Sequence, residues 1–544
     1  MSAAEEEGAV ASETRSLDTV TTVTTAFRWR RERWWLLLLF LAAVLPRLVG
    51  LEAGLPLVLN PDELMSLGFA RAIDVSGDLR GQPWRYPPLL GDTMYALMKL
   101  LRGAGGCDGA CTDSQVLMLG RGVSVIASSL GVVAIYAASR MAGVARVWSG
   151  VAALVLAWSP TFVFMGRYAT PDALATGGVC ASVMCLVAIA GGRGRGWYLA
   201  AALALGITGG AKYNAGLIAT SVVMAHLAST KRWTWLPWMA LTAAGALAVF
   251  VLTLLPPWAG VEPILEGLGY EWRHYGRGHG GFASPHAGAD ALRYLIVFTW
   301  GVVPSVVLFL GALLDLRSRD VAARRRRGIW LALGLFVIGY LVMVGRGDMF
   351  VDRVLLPVLP AMGLLLGLAV QAVVAAAHPR LAGERKRIAV GVALAASLVV
   401  ASALRTADQA QALAQEDTRL AAQRWISATL DPKHTKIAVL PNSAMGLFKG
   451  LKGYDIRAVK RVSAGGFRRA GITHVVFGIG SYQRYARSPE RFPAQAEEVA
   501  GHQRALAEGA QQVIVFEAPL PPGANRFGTT TSIYHQYAVE IWAL

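Results

Sequence analysis

The chain has 544 residues, of which 54% are hydrophobic and only 16% are charged, and its formal net charge is +17. A soluble domain of ordinary composition carries about 25% charged residues. Apolar runs close to the roughly 20 residues that cross a bilayer recur through most of the sequence. These properties exclude a soluble enzyme, a secreted disulfide scaffold and a disordered chain. The positive charge fits either a nucleic-acid partner or a membrane-orientation signal.

Residues 1–27 are acidic and rich in Ser and Thr, and they lack the apolar core of a signal peptide. We expect this segment to be a disordered cytoplasmic tail. Four arginines, between Arg28 and Arg33, then precede the first apolar run. Basic residues beside a first span hold that side of the membrane protein in the cytoplasm, so the sequence predicts a cytoplasmic N-terminus.

The apolar runs predict a polytopic α-helical membrane protein with about eleven transmembrane helices. The predicted spans are residues 34–51, 116–138, 148–165, 172–190, 197–210, 214–228, 236–255, 291–314, 329–345, 351–377 and 388–405. The short pair 197–210 and 214–228 could instead merge into one broken helix, which would reverse the direction of every later span.

The loops between these spans fall into two alternating chemical types. The loops on the expected cytoplasmic side are short and basic, and the opposite loops are longer and rich in Pro, Gly, His and aromatic residues. The basic residues of the first type are Arg28, Arg30, Arg31, Arg33, Arg140, Arg146, Arg193, Arg195, Lys231, Arg232, Arg317, Arg319, Arg324–Arg327, Arg380, Arg385, Lys386 and Arg387. The net charge therefore records orientation, and we expect no nucleic-acid partner. The cluster Arg324–Arg327 favours two separate spans within 197–228.

Residues 406–544 differ in composition from the preceding chain and alternate between helical and strand patterns. Residues 417–430 predict an amphipathic helix, 436–440 a buried strand and 490–509 a second helix. An odd number of spans places this segment on the side opposite to the N-terminus. We therefore predict a C-terminal extracytoplasmic α/β domain after a transmembrane domain of residues 28–405. It contains no complete catalytic constellation, so we expect it to pack or to dock the acceptor.

The four cysteines fall into two pairs. Cys107 and Cys111 lie in the first outer loop, residues 52–115, where an oxidising compartment would allow a small disulfide. Cys180 and Cys185 lie within a predicted span, and we expect them to pack as small apolar side chains.

The first outer loop carries the densest group of candidate functional residues. Asp62 and Glu63 follow a proline shortly after the first span, and Arg85-Tyr86-Pro87-Pro88 follows in the same loop. Ionisable residues at the ends of spans are costly and are therefore candidates for function. The alternative for Asp62 is an N-cap of the helix that starts at Glu63.

These motifs resemble those of the GT-C membrane glycosyltransferases, in particular the branch of the protein O-mannosyltransferases and the lipid A aminoarabinose transferase. The resemblance starts with Pro61-Asp62-Glu63 and Tyr86-Pro87-Pro88-Leu89. Four further segments agree with it in order and in their expected side of the membrane: Gly166–Asp172, Gly210–Asn214, Tyr275–Gly281 and Asp352–Pro360. It covers residues 34–405 and, more loosely, the tail.

One departure from that family concerns the segment before the two prolines. The aminoarabinose transferases have a Glu-Lys pair there, whereas this chain has Arg85-Tyr86. The departure puts in doubt a lipid A acceptor and the direct transfer of a phosphate-binding lysine. Arg85 is the candidate to replace it.

The resemblance implies an integral membrane glycosyltransferase, of the hexosyl- or pentosyltransferase class, in the inner (cytoplasmic) membrane. It implies a polyprenyl-phosphate-linked sugar donor, used on the extracytoplasmic side, and an acceptor hydroxyl on a glycan, lipid or protein. Membrane lipid is a further partner. The reaction implied is a single inverting displacement, for which one carboxylate base suffices. We choose Asp62 as that base, with Glu63 orienting a partner or the acceptor.

Four residues are candidates for binding the donor phosphate: Arg85, Tyr86, Lys212 and Arg353. Guanidinium groups bind phosphate bidentately and lysine acts as a point charge. The alternative for Lys212 is snorkelling from the end of a span, although the preceding Gly209-Gly210 would let a ligand approach closely. The alternative for Arg353 is pairing with a neighbouring aspartate, Asp352 or Asp348.

Four more residues are candidates for contact with the acceptor or the sugar: Arg167, Tyr168, Asp172 and His279. Asp172 has an alternative as the N-cap of the span after Pro171, and Arg167 could pair with it. His279 lies in a glycine-rich loop that could close over a substrate, but a lone loop histidine is usually a solvated surface residue. No cofactor is indicated with certainty, and a divalent metal stays open because the loop histidines lack tight ligand spacing.

Two other classes of function compete with transfer of a sugar. A membrane transporter or a flippase for lipid-linked sugars usually shows inverted repeats and helices interrupted at the midplane, and no such repeat is visible here. An assembly or sensor protein would depend on the tail domain and tolerate substitutions in the outer loops.

Overall fold

The computed structural model describes residues 29–544 apart from 59, 80–85, 230, 255–261, 278–283, 285, 381–382, 441–449, 460–462, 479–484, 486–488, 491 and 518–537. The predicted N-terminal tail, Arg85 and His279 therefore lie outside the described residues.

The transmembrane part of the chain is built from sixteen described α-helices, with short 3₁₀ or π turns between some of them. They are α1 (Trp29–Leu48), α2 (Glu63–Ser76), α3 (Leu89–Gly103), α4 (Asp113–Met141), α5 (Arg146–Ala157), α6 (Pro160–Met165), α7 (Pro171–Ala190), α8 (Gly196–Ala211), α9 (Ala219–Ala228), α10 (Leu236–Leu252), α11 (Glu262–Arg277), α12 (Ala287–Tyr294), α13 (Val302–Arg317), α14 (Val321–Gly345), α15 (Leu359–Ala377) and α16 (Glu384–Ala414). The 3₁₀ turns Tyr213–Ile218 and Asp352–Val358 precede α9 and α15.

Five helical segments within the described ranges are long and apolar enough to cross a membrane, or six if α12 and α13 count as one bent span. The helices α5, α8, α9 and α10 are apolar but shorter. The structure is thus that of a polytopic helical protein, and the number of about eleven spans stays a prediction.

The helices α8 and α9 run in opposite directions. The Tyr198 hydroxyl, near the start of α8, shares a hydrogen bond of 2.7 Å with Nδ1 of His226, near the end of α9. The chain therefore reverses direction between them, at Lys212 and the following 3₁₀ turn. A single broken helix over 197–228 is excluded by this contact.

The first three basic segments meet at one end of the helical bundle. Glu32 at the start of α1 accepts hydrogen bonds from Tyr136, Arg140 and Arg146, which lie at the end of α4 and the start of α5. Arg193 at the end of α7 donates to the Met141 carbonyl. For these segments the loop chemistry of the sequence corresponds to one end of the bundle; which compartment that end faces stays a prediction.

Two predicted spans are interrupted. The span 148–165 is divided between α5 and α6 at Trp158 and Ser159, where Pro160 lacks the N–H that would continue the helix. The span 291–314 is bent by 109° between α12 and α13. Gly301 at that bend has φ of +92°, a conformation that residues with a Cβ rarely adopt. Apolar composition continues through both breaks and therefore concealed them.

The tail contains α17 (Thr418–Thr429), α18 (Ala464–Arg469), α19 (Pro493–Gly509) and a five-stranded sheet. The strands are β1 (Lys436–Val439), β2 (Asp455–Ala458), β3 (His474–Gly478), β4 (Gln511–Phe516) and β5 (Val539–Ala543). Their order is β2-β1-β3-β5-β4, with β1 parallel to β2 and β3, and with β5 antiparallel to β3 and β4.

Both faces of this sheet are covered. In β1, Ile437 and Val439 pack with Ile426 of α17, and Ala438 packs on the other face with Leu506 of α19. This alternation follows from the two-residue period of a strand. The resulting arrangement is a helix–sheet–helix sandwich.

The helix α16 connects the last span to the tail without a break. It has 31 residues and continues past the predicted domain boundary at 405/406 as far as Ala414. Its end packs on Gly50, which has φ of +67° and lies so close that an added Cβ would be 3.0 Å from Leu413. The tail is thereby attached beside the end of α1.

Candidate functional site

Asp62 and Arg353 form an ion pair at the end of the bundle opposite the basic loops. Asp62 occupies the N-cap position of α2, but its side chain makes no capping hydrogen bond. Its backbone N–H donates instead to the Asn60 side chain, 3.0 Å away. The capping alternative for Asp62 is therefore wrong for its carboxylate, which points to Arg353.

The guanidinium of Arg353 is positioned by the start of the 3₁₀ turn before α15. Asp352 accepts a hydrogen bond from the Arg353 backbone N–H at 2.9 Å, and its other oxygen accepts from the Tyr294 hydroxyl at 3.3 Å. The Arg353 side chain forms an ion pair with Asp62, a partner that the sequence did not suggest, and its pairing with Asp352 or Asp348 stays a prediction. Both side chains of that pair stay partly exposed, at 18% for Asp62 and 16% for Arg353, so a substrate can reach them.

Glu63 is fully enclosed. Its carboxylate receives two hydrogen bonds from Arg121 of α4, at 2.8 and 2.6 Å, and one from the Ala169 backbone N–H at 2.8 Å. Arg121 also donates to the Leu51 and Ala53 carbonyls after α1. Glu63 therefore ties three segments of the chain together and has no surface left for a substrate. Of the expected roles, orientation of a partner fits this position.

Lys212 and Asp172 form a second ion pair, with Nζ and Oδ1 2.6 Å apart and both side chains buried. Asp172 is the second residue of α7, and Thr170 holds the N-cap position, so Asp172 is not an N-cap. Lys212 is 4% exposed, which excludes snorkelling. Its Nζ lies 5.6 Å from the centre of the Tyr86 ring, a cation–π arrangement.

The glycines before Lys212 serve helix packing. A Cβ on Gly210 would lie 2.0 Å from the Thr253 hydroxyl, and one on Gly206 would lie 2.4 Å from Val249. Gly209 faces Phe250 at 3.4 Å. The expectation that this pair of glycines admits a ligand is therefore replaced by close contact between α8 and the end of α10.

Arg167 does not pair with Asp172. It is buried and donates to the Val49 and Pro46 carbonyls at the end of α1, at 2.6 and 3.0 Å. Cations at a helix C-terminus satisfy its last carbonyls and its dipole. Tyr168 is equally enclosed, and the Arg121 guanidinium lies 5.3 Å from its ring centre. Both side chains are therefore enclosed by the protein, and their contact with the acceptor or the sugar stays a prediction.

Glu271 was not among the sequence candidates, but it faces this group of residues. It lies on α11, half-buried, and interacts electrostatically with Lys212, Arg353 and Asp172. Burial raises the pKa of Glu271 above its ordinary value, and the two cations oppose that shift. The inward positions 264, 267, 271 and 274 follow helical spacing, but the polar composition of 256–290 conceals this period in the sequence.

The remaining predictions from the sequence concern the four cysteines and a metal site. Cys107 and Cys111 form a disulfide in the first outer loop, while Cys180 and Cys185 are buried free thiols. Within the part of the chain that the structure describes, no three His, Cys, Asp or Glu side chains group closely enough to hold a metal.

The site therefore combines two carboxylate–cation pairs with a third carboxylate at one end of the bundle. A carboxylate can remove a proton from a hydroxyl, and clustered cations can stabilise a departing phosphate. An arriving anion would compete with Asp62 for Arg353 and with Asp172 for Lys212. The arrangement is suited to transfer of a group from a phosphate ester.

Similarity to known families and structures agrees with transfer of a group from a phosphate ester. Residues 115–255 match the sequence model of the dolichyl-phosphate-mannose-protein mannosyltransferases. The comparison with curated protein sequences gives no match.

Among solved structures, the apo oligosaccharyltransferase of Archaeoglobus fulgidus is similar, with a TM-score of 0.53 and 10% identity; the match covers 95% of this chain and 89% of that one. ArnT from Cupriavidus metallidurans in the apo state gives a TM-score of 0.48 with 17% identity, and the match covers 94% of this chain and 98% of that one. The ArnT complex with undecaprenyl phosphate gives 0.46 and 15%, covering 93% and 98%.

The oligosaccharyltransferase match shows a shared fold across nearly the whole chain, and the family match covers α4 to the end of α10. Two of the six motif segments, Gly166–Asp172 and Gly210–Asn214, lie within the family match. The resemblance of this chain to the GT-C membrane glycosyltransferases is thus confirmed.

Proposed function

We propose that the chain transfers a sugar from a polyprenyl-phosphate donor to an acceptor hydroxyl at the extracytoplasmic face of the cytoplasmic membrane. The observation that carries the proposal is the pairing of Asp62 with Arg353 beside that of Asp172 with Lys212. The match to a family named for a dolichyl-phosphate-linked mannose supports a donor of this chemical class. The predicted topology of about eleven spans, with the tail domain outside, belongs to the proposal.

The first step is binding of the donor. Its phosphate is an anion, so it competes with Asp62 for the Arg353 guanidinium, which binds phosphate bidentately. Lys212 contributes a point charge, and the Tyr86 ring beside it shapes the same place. Arg85 is assigned to this group from the sequence. Donor binding in this way releases the Asp62 carboxylate at the moment when a base is needed.

The second step is displacement. The freed Asp62 carboxylate takes the proton of the acceptor hydroxyl while its oxygen attacks the anomeric carbon. Arg353 and Lys212 stabilise the charge that develops on the departing phosphate. Asp172 contacts sugar hydroxyls, and His279 belongs to the loop expected to close over the substrates. Glu63 holds α2, and with it Asp62, in position through Arg121.

Purified protein incubated with radiolabelled polyprenyl-phosphate sugars and a membrane extract tests this proposal. We expect wild type to transfer label and Asp62→Asn to be at least about 100-fold slower, since general base catalysis is worth roughly that factor. Asp108→Asn, an exposed carboxylate in the same loop, is the matched control and should retain wild-type transfer. Equal transfer by Asp62→Asn would remove Asp62 as the base. Absence of transfer from every donor would favour a transporter or flippase.

A further inference from the structure

Glu271 is placed by an amphipathic helix that lies between two predicted spans. The helix α11 turns Leu265, Leu268 and Trp272 outward, where they are 62%, 44% and 80% exposed. Ile264 on the opposite face is buried, and Glu271, two turns later on that face, is half-buried. The burial pattern of the helix therefore directs the carboxylate of Glu271 toward the bundle.

The groups that interact with Glu271 come from four other segments of the site. Its charge interacts with Tyr86 before α3, with Asp172 at the start of α7, with Lys212 and Tyr213 after α8, and with Arg353 before α15. Glu271 thus lies among the residues assigned to the donor phosphate.

The bonding of Glu271 distinguishes it from the other carboxylates of the site. Asp62 is held by Arg353 and Asp172 by Lys212, whereas Glu271 has no hydrogen bond or ion pair with any residue that the structure describes. Because the two described pairs are already neutral, an ionised Glu271 would add an uncompensated negative charge to them. An anionic phosphate would meet repulsion there unless Glu271 were protonated.

We propose that Glu271 is a further catalytic residue, which enters the reaction as a neutral carboxylic acid and donates its proton to the phosphate that leaves the sugar. The inference rests on the proposed function, since it assumes a phosphate-linked donor. Burial, which raises the pKa of Glu271, and the charge of the arriving phosphate both favour the protonated form.

The bond between the anomeric carbon and the phosphate oxygen breaks, and its electron pair stays on that oxygen. The acceptor oxygen forms the new bond to the anomeric carbon and loses its proton to Asp62. Glu271 gives its proton to the phosphate group, which departs as a monoanion. Transfer of the Asp62 proton to solvent and uptake of one by Glu271 restore the enzyme.

Binding of undecaprenyl phosphate to the full chain in detergent, measured between pH 6 and 9, tests the location of Glu271. In wild type, binding should weaken as pH rises through the pKa of Glu271, because the ionised carboxylate repels the phosphate. Glu271→Gln stays neutral and should bind about tenfold more tightly than wild type at the alkaline end, because no ionised carboxylate then opposes the phosphate. Ionisation of the lipid phosphate affects all variants equally. Glu266→Gln, an exposed position on the same helix, should follow wild type.

Single-turnover transfer tests the role of the proton. We expect Glu271→Gln to be about 100-fold slower than wild type at pH 6, as for loss of a general acid, and to lack the decline in rate that wild type shows at alkaline pH. A purely structural role would change thermal unfolding and leave the shape of that pH profile intact. Wild-type rates in Glu271→Gln would overturn the proposal while leaving the proposed function standing. If wild type transfers no sugar, the proposed function itself fails. In the binding experiment, an identical pH dependence of wild type and Glu271→Gln would overturn the placement of Glu271 beside the phosphate.

Discussion

Asp62 and Arg353 are separated by 291 positions in the chain and form one ion pair in the structure. Asp62 immediately precedes α2, and Arg353 is the second residue of the 3₁₀ turn before α15. Both side chains are partly exposed, so a substrate group can replace either partner of the pair. The pair therefore links the group expected to act as base to the group expected to bind the donor.

Replacement of Arg353 should weaken donor binding more than it slows chemistry. Arg353→Lys keeps the charge but loses the bidentate guanidinium, so we expect KM for the donor to rise about tenfold. This change corresponds to a loss of roughly 1.4 kcal/mol of binding free energy. Steady-state kinetics at several donor concentrations separate KM from kcat. Arg346→Lys, an exposed arginine on the preceding turn, should behave as wild type. A change confined to kcat would argue against donor binding by Arg353.

Removal of the Glu63 charge should destabilise the protein. Glu63→Gln leaves the Arg121 guanidinium buried without a counter-charge, a change worth about 3–5 kcal/mol, and thermal unfolding in detergent should show a large decrease in Tm. Asp113→Asn breaks the pair with Arg71, whose side chains are 27% and 44% exposed, and should cost no more than about 1 kcal/mol. Similar Tm values for the two variants would contradict the bracing role of Glu63.

Variants of the Lys212–Asp172 pair can distinguish its contribution to stability from its contribution to sugar transfer. Lys212→Met and Asp172→Asn each leave one buried charge unpaired, so each should lower Tm. The double variant removes both charges and should recover most of the stability. Transfer should remain at least about 100-fold below wild type in the double variant, because the cation at the phosphate is absent. Recovery of transfer together with stability would show that the pair is only structural.

The predicted orientation can be tested with single cysteines and a membrane-impermeant maleimide on intact cells. Ser76→Cys in the first outer loop and Glu508→Cys in the tail should react, and Arg319→Cys between α13 and α14 should react only after the membrane is opened. All three positions are exposed in the structure. Labelling of Arg319→Cys on intact cells would reverse the topology.

The native cysteines should not interfere with this experiment. Cys107 and Cys111 are joined in a disulfide, and Cys180 and Cys185 are buried. Wild-type protein should therefore stay unlabelled and serves as the control.

The sequence identified many of the residues of the site but not their partners. Asp62, Asp172, Lys212 and Arg353 stood out because charges at span ends are costly, and the structure brings them to one end of the bundle. Their pairing depends on how distant helices pack, which a local pattern does not encode. Local alternatives such as the capping of α2 by Asp62 therefore failed.

The breaks in the spans and Glu271 were missed for different physical reasons. Hydropathy is insensitive to the bend at Gly301 because the residues on both sides are equally apolar. Glu271 lies in a polar stretch whose helical period became apparent only once burial was known. The strand Lys436–Val439, by contrast, was visible as a short apolar run before Pro441.

The uninterrupted helix α16 has a mechanical consequence. Thirty-one residues at 1.5 Å each give a rod of about 46 Å, and the hydrocarbon layer takes up only about 30 Å of it. With the predicted orientation, the remainder would be a stiff spacer that sets the height of the tail sheet above the bilayer. An acceptor of the proposed reaction would enter through the clearance that this spacer leaves, so we expect the length of α16 to limit the bulk of the molecules that can reach the site.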